Sequence, residues 1–149
     1  MKKIPVLVML LLSGVVLHSC ESSFLGHDEA SNKKVSKADF EIGEPFNLSF
    51  GTAISNTDKS ITIGFKGVSD SRCPADVTCV WEGNGKVTLV VNTDDVEFET
   101  ELNTHPEEQK SIIINGIKFS LIELNPYPES AEKAISKKEY VAVLIAEKE

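Results

Sequence analysis

Positive charge is in short supply in this 149-residue chain, where 15 Lys plus Arg stand against 23 Asp plus Glu for a formal net charge of -8. A polyphosphate partner would be repelled, which argues against binding nucleic acid. Histidine is scarcer still, at three residues: His18 and His27 near the N-terminus, and His105 followed by Pro106 in an expected loop. No histidine-based catalytic constellation can be assembled from these, so the chain is read as no enzyme, with a carboxylate-only hydrolase as the distant alternative. Long apolar runs are also missing. The stretch from Ile4 to Leu17 has fourteen residues, broken by Pro5, Ser13 and Gly14, whereas a membrane span takes about 20. No internal repeat stands out. What is present, 41% hydrophobic and 26% charged residues, excludes disorder along the whole chain and suits one modest domain.

Lys2 and Lys3, the apolar stretch after them and the small residues near its end read together as a cleaved export signal. Leu17-His18-Ser19-Cys20 resembles the lipobox of bacterial lipoproteins, with leucine three positions before the cysteine and a small residue just before it. The resemblance implies a diacylglyceryl group on the Cys20 sulfur, cleavage between Ser19 and Cys20, further acylation of the new amino terminus, and a membrane as partner. Each buried methylene adds about 0.8 kcal/mol, so two or three fatty chains make a stable anchor. From Glu21 to Asp39 the chain is rich in Ser, Asn, Lys and acidic residues and cannot bury enough to fold alone. As a flexible tether it would reach roughly 25 Å. The expected organisation is therefore a signal peptide over residues 1–19, a lipidated cysteine and tether over 20–39, and a domain over 40–149. Its expected address is the bacterial cell envelope, lipid-anchored in the outer membrane, with the face left open.

Three cysteines are an odd number, but with Cys20 taken by lipid, Cys73 and Cys79 remain as a pair in an exported chain. They are expected to form a disulfide. The ring is small, and loop entropy gives it on the order of 2 kcal/mol. Two sulfurs without a neighbouring His or third Cys make a poor zinc site, and their spacing is not the two-residue one of thioredoxin-like centres. No metal or cofactor is implied.

From Phe40 onward, period two dominates. Phe46, Leu48 and Phe50 alternate with Asn47 and Ser49, and Ile61, Ile63 and Phe65 with Thr62, Gly64 and Lys66; Val87, Leu89 and Val91 belong to another strand, and Val96, Phe98, Thr100 and Leu102 alternate with acidic residues in the next. Asn92 to Asp95 supplies a turn. Ser111 to Ile114 and Ile117 to Leu124 flank Asn115-Gly116, the pair best suited to a type I′ turn. Tyr140 to Ala146 is nearly all apolar and predicts a strand covered on most of both faces. Glu129 to Ile135, after Pro126 and Pro128, is a short helical candidate. The fold class is all-β, a single antiparallel β-sandwich of immunoglobulin-like type with one short helix; a small β-barrel is the alternative.

The most specific stretch runs from Asp70 to Gly85. Its Asp70-Ser71-Arg72-Cys73-Pro74 run, the second cysteine Cys79, and Trp81 and Gly83 beyond it resemble a motif of small, largely uncharacterised secreted and lipoprotein β-domains of bacteria. The resemblance implies a fold and an exported setting, and transfers no catalytic residue. Arg72 could pair with Asp70, Asp76 or Glu82. Trp81, two residues after Cys79, would cover the bridge if the segment is extended, or else pack in the core. Two readings stand at this point: a polar knot held by one disulfide, or an exposed recognition patch of Arg72, Trp81 and Glu82. Asp95, Glu97, Glu99 and Glu101 recur at every second position, as on a solvated strand face guarded against edge pairing; about 7 Å between them is wide for one cation. The expected function is a membrane-anchored, non-catalytic β-sandwich binding module with a protein or glycan partner. The alternative is an accessory subunit, inhibitor or assembly factor of an envelope complex.

Overall fold

A computed structural model of the chain describes residues 39–149. The expected signal peptide, the Cys20 anchor and the tether through residue 38 lie outside the described residues. Eight strands follow in order: β1 (Pro45–Ser49), β2 (Ala53–Asn56), β3 (Ile61–Asp70), β4 (Gly85–Asn92), β5 (Glu97–Asn103), β6 (Ser111–Ile114), β7 (Ile117–Asn125) and β8 (Val141–Lys148). They build two four-stranded sheets, ordered β1-β8-β7-β6 and β2-β3-β4-β5, and every strand pair is antiparallel. Neither sheet closes on itself, so the domain is a β-sandwich and not a barrel. Within each sheet the chain runs mostly as a meander, and β1 returns beside β8 to complete the second layer.

The alternation seen in the sequence is the alternation of the core. In β4, Val87, Leu89 and Val91 are buried while their neighbours are partly exposed, as a strand half-covered by a second sheet requires. Ile61, Ile63 and Phe65 of β3 face Phe119, Leu121 and Leu124 of β7 and Leu144 of β8 in one hydrophobic cluster. Phe40 joins the sheets at one end, stacked on Phe46 with ring centroids 5.0 Å apart and edge-on to Phe119 at 5.5 Å. Each such side chain, fully buried, stabilises the fold by roughly 1.5–3 kcal/mol. Asn115 and Gly116 take φ of 51° and 73° between β6 and β7, the paired left-handed conformations of a type I′ hairpin.

Three features depart from the sequence reading. β2 was not foreseen; at four residues with two apolar side chains it is too short to show a period. β8 buries Ala142, Leu144 and Ala146 but leaves Val141, Val143 and Ile145 only half-buried, because the outer face of an antiparallel sheet can meet solvent. The helix expected over Glu129 to Ile135 is absent. The Ala131 N–H donates to Asp76 Oδ1 at 3.0 Å and the Glu132 N–H to Ser130 Oγ at 3.2 Å, so side chains take amides that a helix would use. A single 3-10 turn, Lys137–Glu139, follows instead.

On β5, an edge strand, the acidic row lies outward and two of its members meet lysines from β3 and β4. Glu99 pairs with Lys66, and Glu101 with Lys86 at 3.0 Å. These exposed pairs mark a solvated face, and each is worth at most about 1 kcal/mol.

Candidate functional site

The segment from Ser71 to Asn84 is the long tip of the β3–β4 hairpin. Beyond the last ladder pair, Asp70 with Gly85, the two arms stay joined: Ser71 N–H donates to Asn84 O at 2.8 Å and Cys73 N–H to Glu82 O at 2.9 Å. The Cys73–Cys79 disulfide, with Cα atoms 5.9 Å apart, then staples the apex. Gly83 allows the arms to lie this close, and Gly85 lets the hairpin lie against β7. A Cβ on Gly83, whose φ is +77°, would sit 1.9 Å from Ser71 O, and one on Gly85 would sit 2.9 Å from Leu124 Cδ2.

Arg72 lies beneath the tip and is 8% exposed. Its Nε and Nη2 donate to the two carboxylate oxygens of Asp70 at 2.9 and 2.6 Å, its Nη1 to Leu124 O at 2.5 Å, and its Nη2 again to Pro126 O at 2.8 Å. Asp70 Oδ2 also accepts from the Tyr140 hydroxyl at 3.0 Å. Tyr127 lays its ring 4.9 Å from the guanidinium carbon and donates its hydroxyl to Cys73 O at 2.8 Å. One ion pair thus ties the base of the tip to the end of β7 and the start of β8. Of the three acids that could have partnered Arg72, the structure selects Asp70, the nearest in the chain and the most buried. Asp76 instead holds Ala131. On the far side, Asn84 donates to Asn103 Oδ1 at 2.9 Å and accepts the His105 N–H at 3.2 Å. No buried side-chain polar atom among the described residues lacks a partner.

Burial alone would raise the Asp70 carboxyl, but the hydrogen bonds and charge of Arg72, with the Tyr140 hydroxyl, outweigh it and hold the group below the usual carboxylate value. Burial first, then the hydrogen bond to the Asp70 carboxylate and its charge, push the Tyr140 hydroxyl up to about 12. The two shifts act on stability at opposite limits of pH. A depressed carboxylate contributes stability above its unfolded value, and this is lost as pH falls through the lower folded value. A raised phenol contributes stability below its unfolded value of 10.0, and this is lost as pH rises from there through about 12. The expected result in denaturant titrations across pH is that Tyr140→Phe removes much of the alkaline loss between those values and leaves the acid limb in place. An alkaline limb of unchanged size in that variant would show that Tyr140 does not carry it.

Arg72 therefore does not belong to an exposed patch: its guanidinium is internal because four of its N–H groups are satisfied by protein oxygens. Trp81 does not belong to the core. The segment beyond Cys79 is not a strand, and the indole stands 56% exposed against His105, with ring centroids 5.2 Å apart. Glu82 is exposed, and its Oε1 lies 3.5 Å from His105 Nε2. Since His105 Nδ1 accepts the Glu107 N–H at 3.3 Å, the proton of the neutral ring sits on Nε2, facing Glu82.

His105, Tyr127 and Ile122 were not foreseen at this site. Ile122 is turned outward by a bulge in β7 between Leu121 and Glu123, which re-aims a side chain as bulges do. Its signal in the sequence is a phase slip, since the buried residues run Phe119, Leu121, then Leu124. Beside the tip, Ile122, Leu124, Pro106, Tyr127, His105, Glu82 and Glu123 line a cleft of about 390 Å³ whose floor includes Arg72. Val77, Val80 and Trp81 are exposed at the apex.

These features define a class of molecule, a small antiparallel β-sandwich with one disulfide-stapled hairpin tip and a shallow cleft beside it. No protein-family model, no curated protein and no solved structure matches the chain.

Proposed function

We propose that this chain is a bacterial envelope lipoprotein, anchored through Cys20, whose β-sandwich is a non-catalytic binding module presenting the stapled tip to a protein or glycan partner. The observation that carries the reading is the contrast at the tip. Its apex exposes Trp81, Val77 and Val80, yet is stapled by a disulfide and stands on a base fixed by a buried ion pair and two cross-arm hydrogen bonds. Large apolar groups on a braced loop lose little freedom on binding, and exposed Trp is the residue type most concentrated at binding hot spots. The anchor is supported by the Leu17-His18-Ser19-Cys20 run. A second reading, an inhibitor or accessory subunit of an envelope complex, draws on the same protruding apex, which suits insertion into a partner's cleft.

The test has two arms. In cells fed labelled fatty acid, the full chain is expected to take up label and stay with membranes, and Cys20→Ala to do neither; a labelled Cys20→Ala chain overturns the anchor. In crosslinking and gentle detergent extraction, a partner recovered with the full chain is expected to be lost with Trp81→Ala. Undiminished recovery would move recognition away from the tip, whereas a complex that survives purification favours the accessory-subunit reading.

A further inference from the structure

The partner's chemistry can be taken one step further, resting on the reading of the tip as the recognition surface. We propose that the cleft beside Trp81 receives a lysine or arginine side chain of a protein partner, whose apolar neighbours pack on Trp81 and Val80.

The first support is shape. A cleft of about 390 Å³ is at the small end of ligand sites, which run from about 300 to 1,000 Å³, and gives room for one long side chain. Ile122, Leu124 and Tyr127 offer apolar walls to a methylene stem, and the charged head of such a side chain stays at the wet rim.

The second support is charge. Glu82 and Glu123 stand at the cleft and are exposed. Among the described residues no Lys or Arg lies within 4.0 Å of either carboxylate, and the partner of Glu82 is the His105 ring. On the outer face of the neighbouring sheet, by contrast, Glu99 and Glu101 each have their own lysine. The one cation in the cleft, Arg72, is committed to Asp70 and to two backbone carbonyls. A partner's cation would therefore find both carboxylates free of a competing Lys or Arg. The exposed indole of Trp81 adds an aromatic face on which a cation can rest, and the net charge of -8 steers a basic partner inward. A sugar ring would pack on the indole and donate hydroxyls to the carboxylates, but would leave their charge uncompensated.

The probe is a random-peptide display library selected on the full chain in detergent micelles. Enriched peptides are expected to carry Lys or Arg beside apolar residues. Synthetic copies should bind about tenfold or more weakly to a Glu82→Gln/Glu123→Gln variant and to Trp81→Ala, and equally well to Asp95→Asn/Glu97→Gln at the far end of β5. All of these positions are exposed, and circular dichroism verifies that the variants keep the fold. Enrichment of peptides without a basic residue, full-strength binding by Glu82→Gln/Glu123→Gln, or no enrichment at all overturns the cationic ligand. If enriched peptides depend on Trp81 but not on the two carboxylates, the tip stands as the recognition surface and only the charge assignment falls. If they ignore Trp81 as well, the tip falls with it. Binding of soluble glycans in place of peptides would assign the site to a sugar.

Discussion

Arg72→Ala is expected to lower stability by roughly 3–5 kcal/mol, the usual cost of removing one partner from a buried ion pair. Both side chains of the Arg72–Asp70 pair are nearly closed to solvent, at 6% and 9% exposure. The variant leaves Asp70 with only the Tyr140 hydroxyl and the residue 72 N–H, and it strips a donor from each of Leu124 O and Pro126 O. At roughly 4 °C or more of melting temperature for each kcal/mol in a domain of this size, the shift should exceed about 10 °C. Arg72→Lys is expected to fall between, because an ammonium keeps the charge but cannot reach two carboxylate oxygens and two carbonyls with one fork. The acid limb of the pH dependence should shrink. With the guanidinium present, the depressed Asp70 group makes acid destabilising. Without it, burial still raises the group and only the residue 72 N–H and the Tyr140 hydroxyl lower it, so the folded value moves up toward the unfolded one and less stability is lost as pH falls. A loss below about 1 kcal/mol, or an acid limb like that of the parent, would show that the pair does not hold the base of the tip.

How far the sequence reveals this molecule depends on distance along the chain. The buried faces of β3, β4 and β7 follow from residues two apart, and the β6–β7 turn from the adjacent pair Asn115-Gly116, so local chemistry specifies them. The disulfide follows from counting cysteines in a chain whose N-terminus reads as an export signal. The position of Arg72 does not follow. Its environment is set by Leu124 and Pro126, more than fifty residues away, and nothing between positions 70 and 82 distinguishes an internal Arg72–Asp70 pair from a solvated one. Trp81 fails for a related reason. Sharing a face with Cys79 requires extended backbone, and the stapled apex supplies turns instead. The expected helix over Glu129 to Ile135 had a suitable apolar side, but its Ala131 amide is claimed by Asp76 from the tip, a contact across 55 positions. The acidic row was legible because strand geometry alone places Glu97, Glu99 and Glu101 together. The lysines that accompany Glu99 and Glu101 come from other strands and were not.

Gly83→Ala should reveal whether the closeness of the two arms of the tip is what orients Trp81. The added Cβ would lie 1.9 Å from Ser71 O and 2.7 Å from Arg72 Cα, both backbone atoms, at a φ of +77°. No rotamer relieves such a clash, so the arms must separate, which breaks the Ser71–Asn84 and Cys73–Glu82 hydrogen bonds and draws Arg72 away from Asp70. Left-handed strain and overpacking together are expected to cost about 3 kcal/mol or more. Gly116 supplies the comparison. It has nearly the same φ, +73°, but nothing lies within 4 Å of its Cβ position, so Gly116→Ala should cost only the conformational part, roughly 1–2 kcal/mol. The difference between the two variants isolates steric approach from backbone strain. Trp81, the only tryptophan in the chain, gives the second readout: its emission should shift in Gly83→Ala and stay unchanged in Gly116→Ala, because only the first variant moves residue 82 and, with it, the carboxylate beside His105. Equal losses in the two variants would mean that the arms can part without cost and that the disulfide alone, at the apex, sets the geometry Trp81 presents.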